Sequence, residues 1–203
     1  MSNAFERIFK NRTVFVTGHT GFIGSWLVQW LCDLGANVVG YSLEPPTNPS
    51  LFETIGLEKR LEHIIGNVND HTKLQKSIQE HSPEFVFHLA AQPLVKASYD
   101  QPLETIQTNV IGTVNLLESI RKTSSVKVCV ILTSDKCYEN RELDYAYRET
   151  DPMGGYDPYS ASKGAVELVT SSYRNSFFNP KDFDRHGVSL STSRIGNVIG
   201  GGD

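Results

Sequence analysis

The 203-residue sequence predicts an α/β fold, a doubly wound parallel sheet with helices on both faces. Three observations predict it. Short β-rich apolar runs alternate with helical patterns along the chain. A glycine-rich turn joins the first run to the first helical pattern. No internal repeat or low-complexity tract breaks the alternation.

The bulk numbers suit such a domain. A hydrophobic share of 39% and a charged share of 21% are those of an ordinary globular chain. A net charge of −4 offers nucleic acid or an anionic membrane no electrostatic footing. No apolar run approaches the roughly 18 residues that a membrane helix needs. The N-terminus lacks a basic segment followed by an apolar core, so no secretory signal is expected. Cys32, Cys129 and Cys137 are odd in number and widely spaced, which reads as reduced thiols in a cytoplasmic protein. The six histidines form no ligand-spaced pair with them, and no metal is expected.

Element by element, residues 13–17 form the first strand and residues 22–34 the first helix. In that helix Phe22, Ile23, Trp26, Leu27, Trp30, Leu31 and Leu34 recur at three- and four-residue steps until Gly35 stops it. Strand 37–43 leads to an extended loop imposed by Pro45, Pro46 and Pro49. A helix near 51–62, strand 63–68, helix 72–81 and strand 84–91 follow. A long helix covers 103–122 after Pro102, and strand 126–132 comes next. A Tyr-rich loop runs through residue 158, then a helix from 159 to about 176 and strand 187–194. Gly200-Gly201-Gly202-Asp203 after that strand is loop composition. The chain therefore reads as one domain over 1–203, the N-terminal part of a longer protein whose smaller C-terminal substrate domain is largely absent.

The stretch "TVFVTGHTGFIGSWL" sets Gly18, Gly21 and Gly24 between strand and helix. A pyrophosphate sits well against backbone N–H groups at a helix N-terminus, where the peptide dipoles leave partial positive charge. Side chains at the glycine positions would block the turn, the approach of the ligand or the packing of helix on strand. The spacing is G-x-x-G-x-x-G, one residue longer than G-x-G-x-x-G. In this strand–loop–helix context it points to a dinucleotide and makes the sheet Rossmann-type. The second strand carries no acidic residue where the adenosine ribose is expected. Ser42 or Glu44 is left for that contact, and no arginine follows for a 2′-phosphate, which favours NAD over NADP.

Further along, "YSASKGAVEL" places Tyr159 and Lys163 four residues apart, on one face of a helix. A free tyrosine titrates near ~10. A neighbouring ammonium favours phenolate, so the hydroxyl can accept a substrate proton. In "TSDKCY", Thr133, Ser134, Asp135 and Lys136 follow strand 126–132, where ligands of open α/β sheets collect. Simple hydride transfer has no use for an added acid and base.

Together with "FHLAAQ", "TNVIGT" and "RIGNVIGGGD", these motifs resemble the extended short-chain dehydrogenase/reductases, over essentially the whole chain. The resemblance implies that Gly18, His19, Thr20, Gly21, Phe22, Ile23 and Gly24 surround the pyrophosphate of NAD. It puts Asn67 and Val68 by the adenine, although the family usually has aspartate where Asn67 stands. Leu89, Ala90, Ala91 and Gln92 would line the adenosine and nicotinamide side, with Thr133, Tyr159 and Lys163 at the nicotinamide. Asn109 would hydrogen-bond behind the active site. Asn197 would either approach the phosphates of a sugar nucleotide or cap the strand before it.

Relatives that eliminate water from a nucleotide hexose carry Asp-Glu where this chain has Asp135-Lys136. The resemblance implies CDP-glucose as substrate and a 4-keto-6-deoxy product. Tyr159 would take the 4-hydroxyl proton, Lys136 the C5 proton, Asp135 would protonate O6, and Ser134 would bond the 4-oxygen. A nucleotide-sugar 4-epimerase or a non-catalytic NAD-binding protein are the alternatives. Helices 103–122 and 159–176 either pair two copies as a homodimer or higher homo-oligomer, or only face the sheet.

Overall fold

The computed structural model describes residues 4–142 and 144–202; Asp203 of the closing glycine motif lies outside the described residues. Six parallel strands form one sheet: β1 (Thr13–Thr17), β2 (Asn37–Ser42), β3 (Glu62–Ile65), β4 (Phe85–His88), β5 (Val128–Ser134) and β6 (Ser189–Ile195). Their order is β3-β2-β1-β4-β5-β6, the doubly wound Rossmann order. The winding reverses between β1 and β4. In register, Thr17 stands beside both Tyr41 and His88, so these strands end level and open a crevice at their carboxyl ends.

The strands are buried on both faces because their side chains alternate. Val14 and Val16 of β1 point into one core with Val28, Leu31, Val38 and Phe52. Helices α1 (Ala4–Phe9), α2 (Phe22–Asp33) and α3 (Leu51–Thr54) cover that side. Phe15 points into the other core with Leu74, Ile78, Leu116, Leu117 and Val166. Helices α4 (His71–His81), α7 (Gly112–Arg121) and α8 (Pro158–Ser176) close it.

Several boundaries differ from the sequence expectation, each for a local reason. α1 was not expected: six residues are too few for a helical period to register, and Phe9 holds the helix by packing edge-on against Phe85 at 5.1 Å. The helix expected near 51–62 shrinks to α3 and a 3₁₀ turn at Leu57–Lys59, because Gly56 takes a left-handed φ of 66°. β3 stops at Ile65, since Gly66 lies against the Tyr41 ring where a Cβ would come within 2.3 Å. α5 (Val95–Asp100) was unexpected, as was the short α9 (Phe183–His186).

The long helix expected over 103–122 runs from α6 (Pro102–Ile106) to α7 through a π-helical turn, Gln107–Ile111. Such turns are common at functional sites. Here the turn carries Asn109, whose Oδ1 accepts from Gln92 N at 2.8 Å while Nδ2 donates to Ser162 Oγ at 2.8 Å. One side chain thus ties the loop after β4 to the start of α8. β5 continues two residues further than expected, so Thr133 and Ser134 are strand, and Asp135–Cys137 is a 3₁₀ turn.

Candidate active site

The crevice at the reversal point is a cavity of about 950 Å³. The glycine loop forms one wall. Gly18 has φ 74°, and a Cβ there would lie 2.6 Å from Ala90 N. At Gly24 a Cβ would lie 2.1 Å from Gly18 O, whereas at Gly21 it would meet nothing closer than 3.5 Å. The fold therefore demands glycine at 18 and 24, and Gly21 only leaves room on the cavity side. Gly21 caps α2 without any side-chain hydrogen bond, which leaves the helix-start N–H groups for a ligand. Thr20 Oγ1 bonds Ser42 Oγ at 2.8 Å and Leu43 O at 2.9 Å, tying the loop to the end of β2.

Thr20, Phe22, Ile23 and Ser42 line the cavity with the three glycines, and so does Glu44, the other ribose candidate. Asn67, Val68, Leu89, Ala90 and Ala91 line its floor and far side. His19 departs from expectation. Its side chain is fully buried beneath the loop, against Gly40, with Nε2 2.6 Å from His63 Nδ1. Burial, then the charge of His63, lowers its pKa to about 3, so the ring is neutral. Gln92 is also turned away: its amide is spent on Leu94 N at 2.6 Å and on Thr105 Oγ1 at 2.8 Å. Asn67 holds the turn after β3 by accepting from Asn69 N at 2.9 Å.

Beneath the floor, Thr17 Oγ1 accepts from Leu89 N and Ala90 N, both at 3.2 Å. His88, fully enclosed, bonds Thr17 Oγ1 at 2.7 Å and Thr113 Oγ1 at 3.1 Å. Burial, with Lys163 adding, lowers its pKa to about 3.

The reactive end is built on α8. Asp157 caps it, accepting from Ser160 N at 2.9 Å, and Pro158 sits in the first turn, where its missing N–H costs nothing. Tyr159 and Lys163 follow four residues apart, 8% and 7% exposed, and both face the cavity. Lys163 Nζ donates to Leu132 O at 3.3 Å and lies 5.8 Å from the Tyr159 ring centre. Desolvation lowers Lys163 to about 8. Tyr159 runs against expectation: burial raises its pKa, opposed by the Ser134 hydroxyl and reinforced by Asp135 and Asp157. The cost of burying phenolate outweighs the gain expected from a nearby ammonium.

Thr133, Ser134 and Lys136 line the same cavity as Tyr159, with Asn197 on its rim after β6. Ser134 Oγ donates to Asp135 Oδ1 at 3.0 Å and accepts from Lys136 N at 3.2 Å. Asp135 opens instead onto an adjoining hollow of about 370 Å³, shared with Tyr138, Tyr147 and Asp157. Lys136 borders both spaces. Sequence reasoning missed Glu167 and Arg194, which carry the hydrogen bonds behind this strip; each stood inside a quoted motif without a role. Among the described residues no group of three or more His, Cys, Asp or Glu could hold a metal ion. No helix among them is long and apolar enough to cross a membrane.

Comparison with known proteins adds to this geometry. The chain is 58% identical over 98% of its length to the CDP-glucose 4,6-dehydratase of Salmonella typhimurium, and covers 55% of that protein. It is 31% identical to the dTDP-glucose 4,6-dehydratase of Xanthomonas campestris, with 83% of this chain and 50% of that protein aligned. The chain spans about half the length of the curated relatives it matches. Among solved structures, the epimerase Mth375 of Methanothermobacter thermautotrophicus superposes with a TM-score of 0.82 at 26% identity, over 98% of this chain and 55% of that one. MoeE5 in complex with UDP-glucose and NAD gives 0.74 at 30% identity, over 94% and 56%. Residues 15–180, from β1 through α8, match the GDP-mannose 4,6 dehydratase family, and the chain belongs to that family of extended short-chain dehydrogenase/reductases.

Proposed function

We propose that the protein is the cofactor-binding part of an NAD-dependent CDP-glucose 4,6-dehydratase. The observation that carries this reading is the meeting of Ser134, Lys136, Tyr159 and Lys163 on one cavity that ends at an uncapped helix N-terminus. The 58% identity to a CDP-glucose 4,6-dehydratase supports the choice of substrate.

The residues present fit NAD. The Gly18 and Gly24 cradle, which a Cβ would fill, brings backbone N–H groups to a pyrophosphate, and Ser42 or Glu44 stands at the ribose end. Bound there, NAD would supply the hydride acceptor for oxidation at C4 and the hydride donor for reduction at C6. Tyr159 takes the proton of the 4-hydroxyl as the C4–H bond breaks, and the Ser134 hydroxyl, turned from Asp135 Oδ1 to the substrate, donates a hydrogen bond to the 4-oxygen. Lys163, by the phenol, favours its ionised form once positive charge also stands over the site.

The 4-ketone acidifies C5–H. Lys136 in its uncharged form removes that proton, and Asp135 protonates O6, so the C6–O bond breaks and water leaves. Opposite proton demands at C5 and O6 call for two groups in different protonation states. When C6 regains hydrogen, Lys136 returns its proton to C5, and the proton that Tyr159 took from O4 passes through solvent to Asp135, so the 4-ketone stays and all three groups are restored. The sugar has lost one water and is neither oxidised nor reduced. Asp135 would reach O6 from the adjoining hollow, where Lys136 borders both spaces.

Residues 1–203 would supply the cofactor site, with the nucleobase read by sequence outside them. Unpaired Cys32, Cys129 and Cys137 suit a reducing, cytoplasmic setting. Exposed Tyr99, Leu103, Ile111 and Leu168, on the helices that precede and follow β5, support a homodimer.

The test is incubation of the full-length protein with CDP-glucose and NAD. A 4-keto-6-deoxy product is expected. A product epimerised at C4 with its 6-hydroxyl intact would decide for the 4-epimerase instead.

A further inference from the structure

The acid–base strip Ser134-Asp135-Lys136 is held at both flanks by one ion pair whose carboxylate is buried and whose guanidinium is mostly so, and nothing in the reaction above uses that pair. On the near side, Thr133 Oγ1 donates to Glu167 Oε1 at 2.5 Å and to Ser193 O at 3.3 Å. On the far side, Arg194 Nη1 donates to the Tyr138 hydroxyl at 2.8 Å, and its guanidinium lies 4.9 Å from the centre of the Tyr138 ring. Arg194 Nη2 closes the circuit on Glu167 Oε2 at 3.0 Å, where Thr192 Oγ1 also donates at 3.0 Å. Glu167 is 6% exposed.

A buried pair of this kind is a poor source of stability, since desolvating two charges offsets most of their attraction. It is a good source of position, because a planar guanidinium and a carboxylate impose directions on everything bonded to them. Glu167 sits one helical turn beyond Lys163 and two beyond Tyr159, on the same face of α8. The helix that presents phenol and amine to the cavity therefore also presents the carboxylate that grips the strip.

The geometry points to Glu167 and Arg194 as positioning residues for the elimination of water: they hold Asp135 and Lys136 in reach of the C5 proton and O6. C4 oxidation depends on them less, because Tyr159 rides on α8 itself and Lys163 is anchored separately on Leu132 O. This rests on the dehydratase reading.

The test uses the full-length protein with CDP-glucose and NAD. Glu167→Gln sets an amide N–H₂ against the guanidinium and risks the fold. Tyr138→Phe is therefore the deciding variant: it deletes one hydroxyl and keeps the ring under Arg194. With Tyr138→Phe, product formation is expected to slow roughly tenfold, the scale of a sub-ångström misplacement of reacting groups. Reduced cofactor should build up during turnover, since oxidation outruns elimination. NAD affinity and the thermal midpoint should stay at the wild-type values.

Wild-type turnover in Tyr138→Phe, or slowing without build-up of reduced cofactor, would overturn the positioning role alone. A wild-type protein that yields no dehydrated sugar would overturn the dehydratase reading, and the role built on it, before any variant is compared.

Discussion

The amine of Lys163 bonds the carbonyl oxygen of Leu132, 3.3 Å away, and not the hydroxyl of Tyr159 four residues before it on the same helix. The pair shares a face, but its first obligation is to the end of β5. That arrangement buries an ammonium with a single hydrogen-bond partner, and desolvation lowers its pKa from 10.5 to about 8.

A depressed lysine pKa means that the folded protein binds fewer protons than the unfolded chain between pH 8 and 10.5. Stability from this group is fully present above the upper value and lost as pH falls through the lower one. Lys163→Met should remove the dependence. Relative to wild type, the variant should gain roughly 3 kcal/mol at pH 7, and the advantage should shrink as pH rises from 8 towards 10, below the range where Tyr159 titrates. Urea unfolding of both proteins at several pH values measures it. Parallel curves would refute it.

Two glycines of the loop should separate folding from binding. A Cβ at Gly24 would meet Gly18 O at 2.1 Å, so Gly24→Ala should cost at least about 3 kcal/mol of stability. At Gly21 the nearest heavy atom is 3.5 Å away, so Gly21→Ala should change stability by under about 1 kcal/mol. It should nevertheless weaken NAD binding at least roughly tenfold, because the methyl occupies the approach to the helix-start N–H groups. Calorimetric NAD titration beside thermal melting reads both. Unchanged affinity in Gly21→Ala would place the pyrophosphate elsewhere.

The sheet was legible because β1, β4 and β5 are apolar runs bounded by polar turns, and such runs need no tertiary information to be read. The glycine loop and the Tyr159–Lys163 pair were legible because their chemistry requires fixed spacings. His19 and Gln92 were misplaced for the opposite reason. A motif records that a position matters and is silent on which way its side chain turns. His19 turns inward only because Gly40, 21 residues later, leaves room for its ring. Arg194 and Glu167 were invisible as a pair because 27 residues separate partners that only the packing of α8 against β6 brings together. The π turn at Asn109 escaped since a helical period does not reveal one extra residue per turn.

His19 and His88 should make the protein acid-sensitive. Both are buried neutral, with pKa values near 3 against 6.5 in the unfolded chain. The unfolded state therefore takes up more protons as pH falls below 6.5, and stability is lost on the way to 3. Two such groups give a slope of about 2.7 kcal/mol per pH unit near pH 5. The lowered carboxyls of Asp33 and Glu118 steepen it further down. His88→Asn should roughly halve the slope at pH 5 while costing stability at pH 7, where the Thr17 and Thr113 bonds are disturbed. Denaturant unfolding between pH 5 and 7 checks it. A wild-type slope near zero would mean that both rings are charged in the folded state, and a halved slope that one of them is.

The exposed helix face offers the last test. Leu103, Ile111 and Leu168 are 69%, 48% and 63% exposed, on the helical segments that flank β5 in sequence. Large apolar side chains this open on neighbouring helices are a surface that a second copy can cover. Leu103→Asp with Leu168→Asp should convert the proposed full-length dimer into monomer, since each buried charge would lack a partner across the two-fold axis. Neither residue reaches into a core, so the melting midpoint of the monomer should fall only by the stabilisation that association gave. Light scattering after size exclusion reads the mass directly. A wild-type monomer, or a dimer that survives both substitutions, would assign these leucines to another surface role.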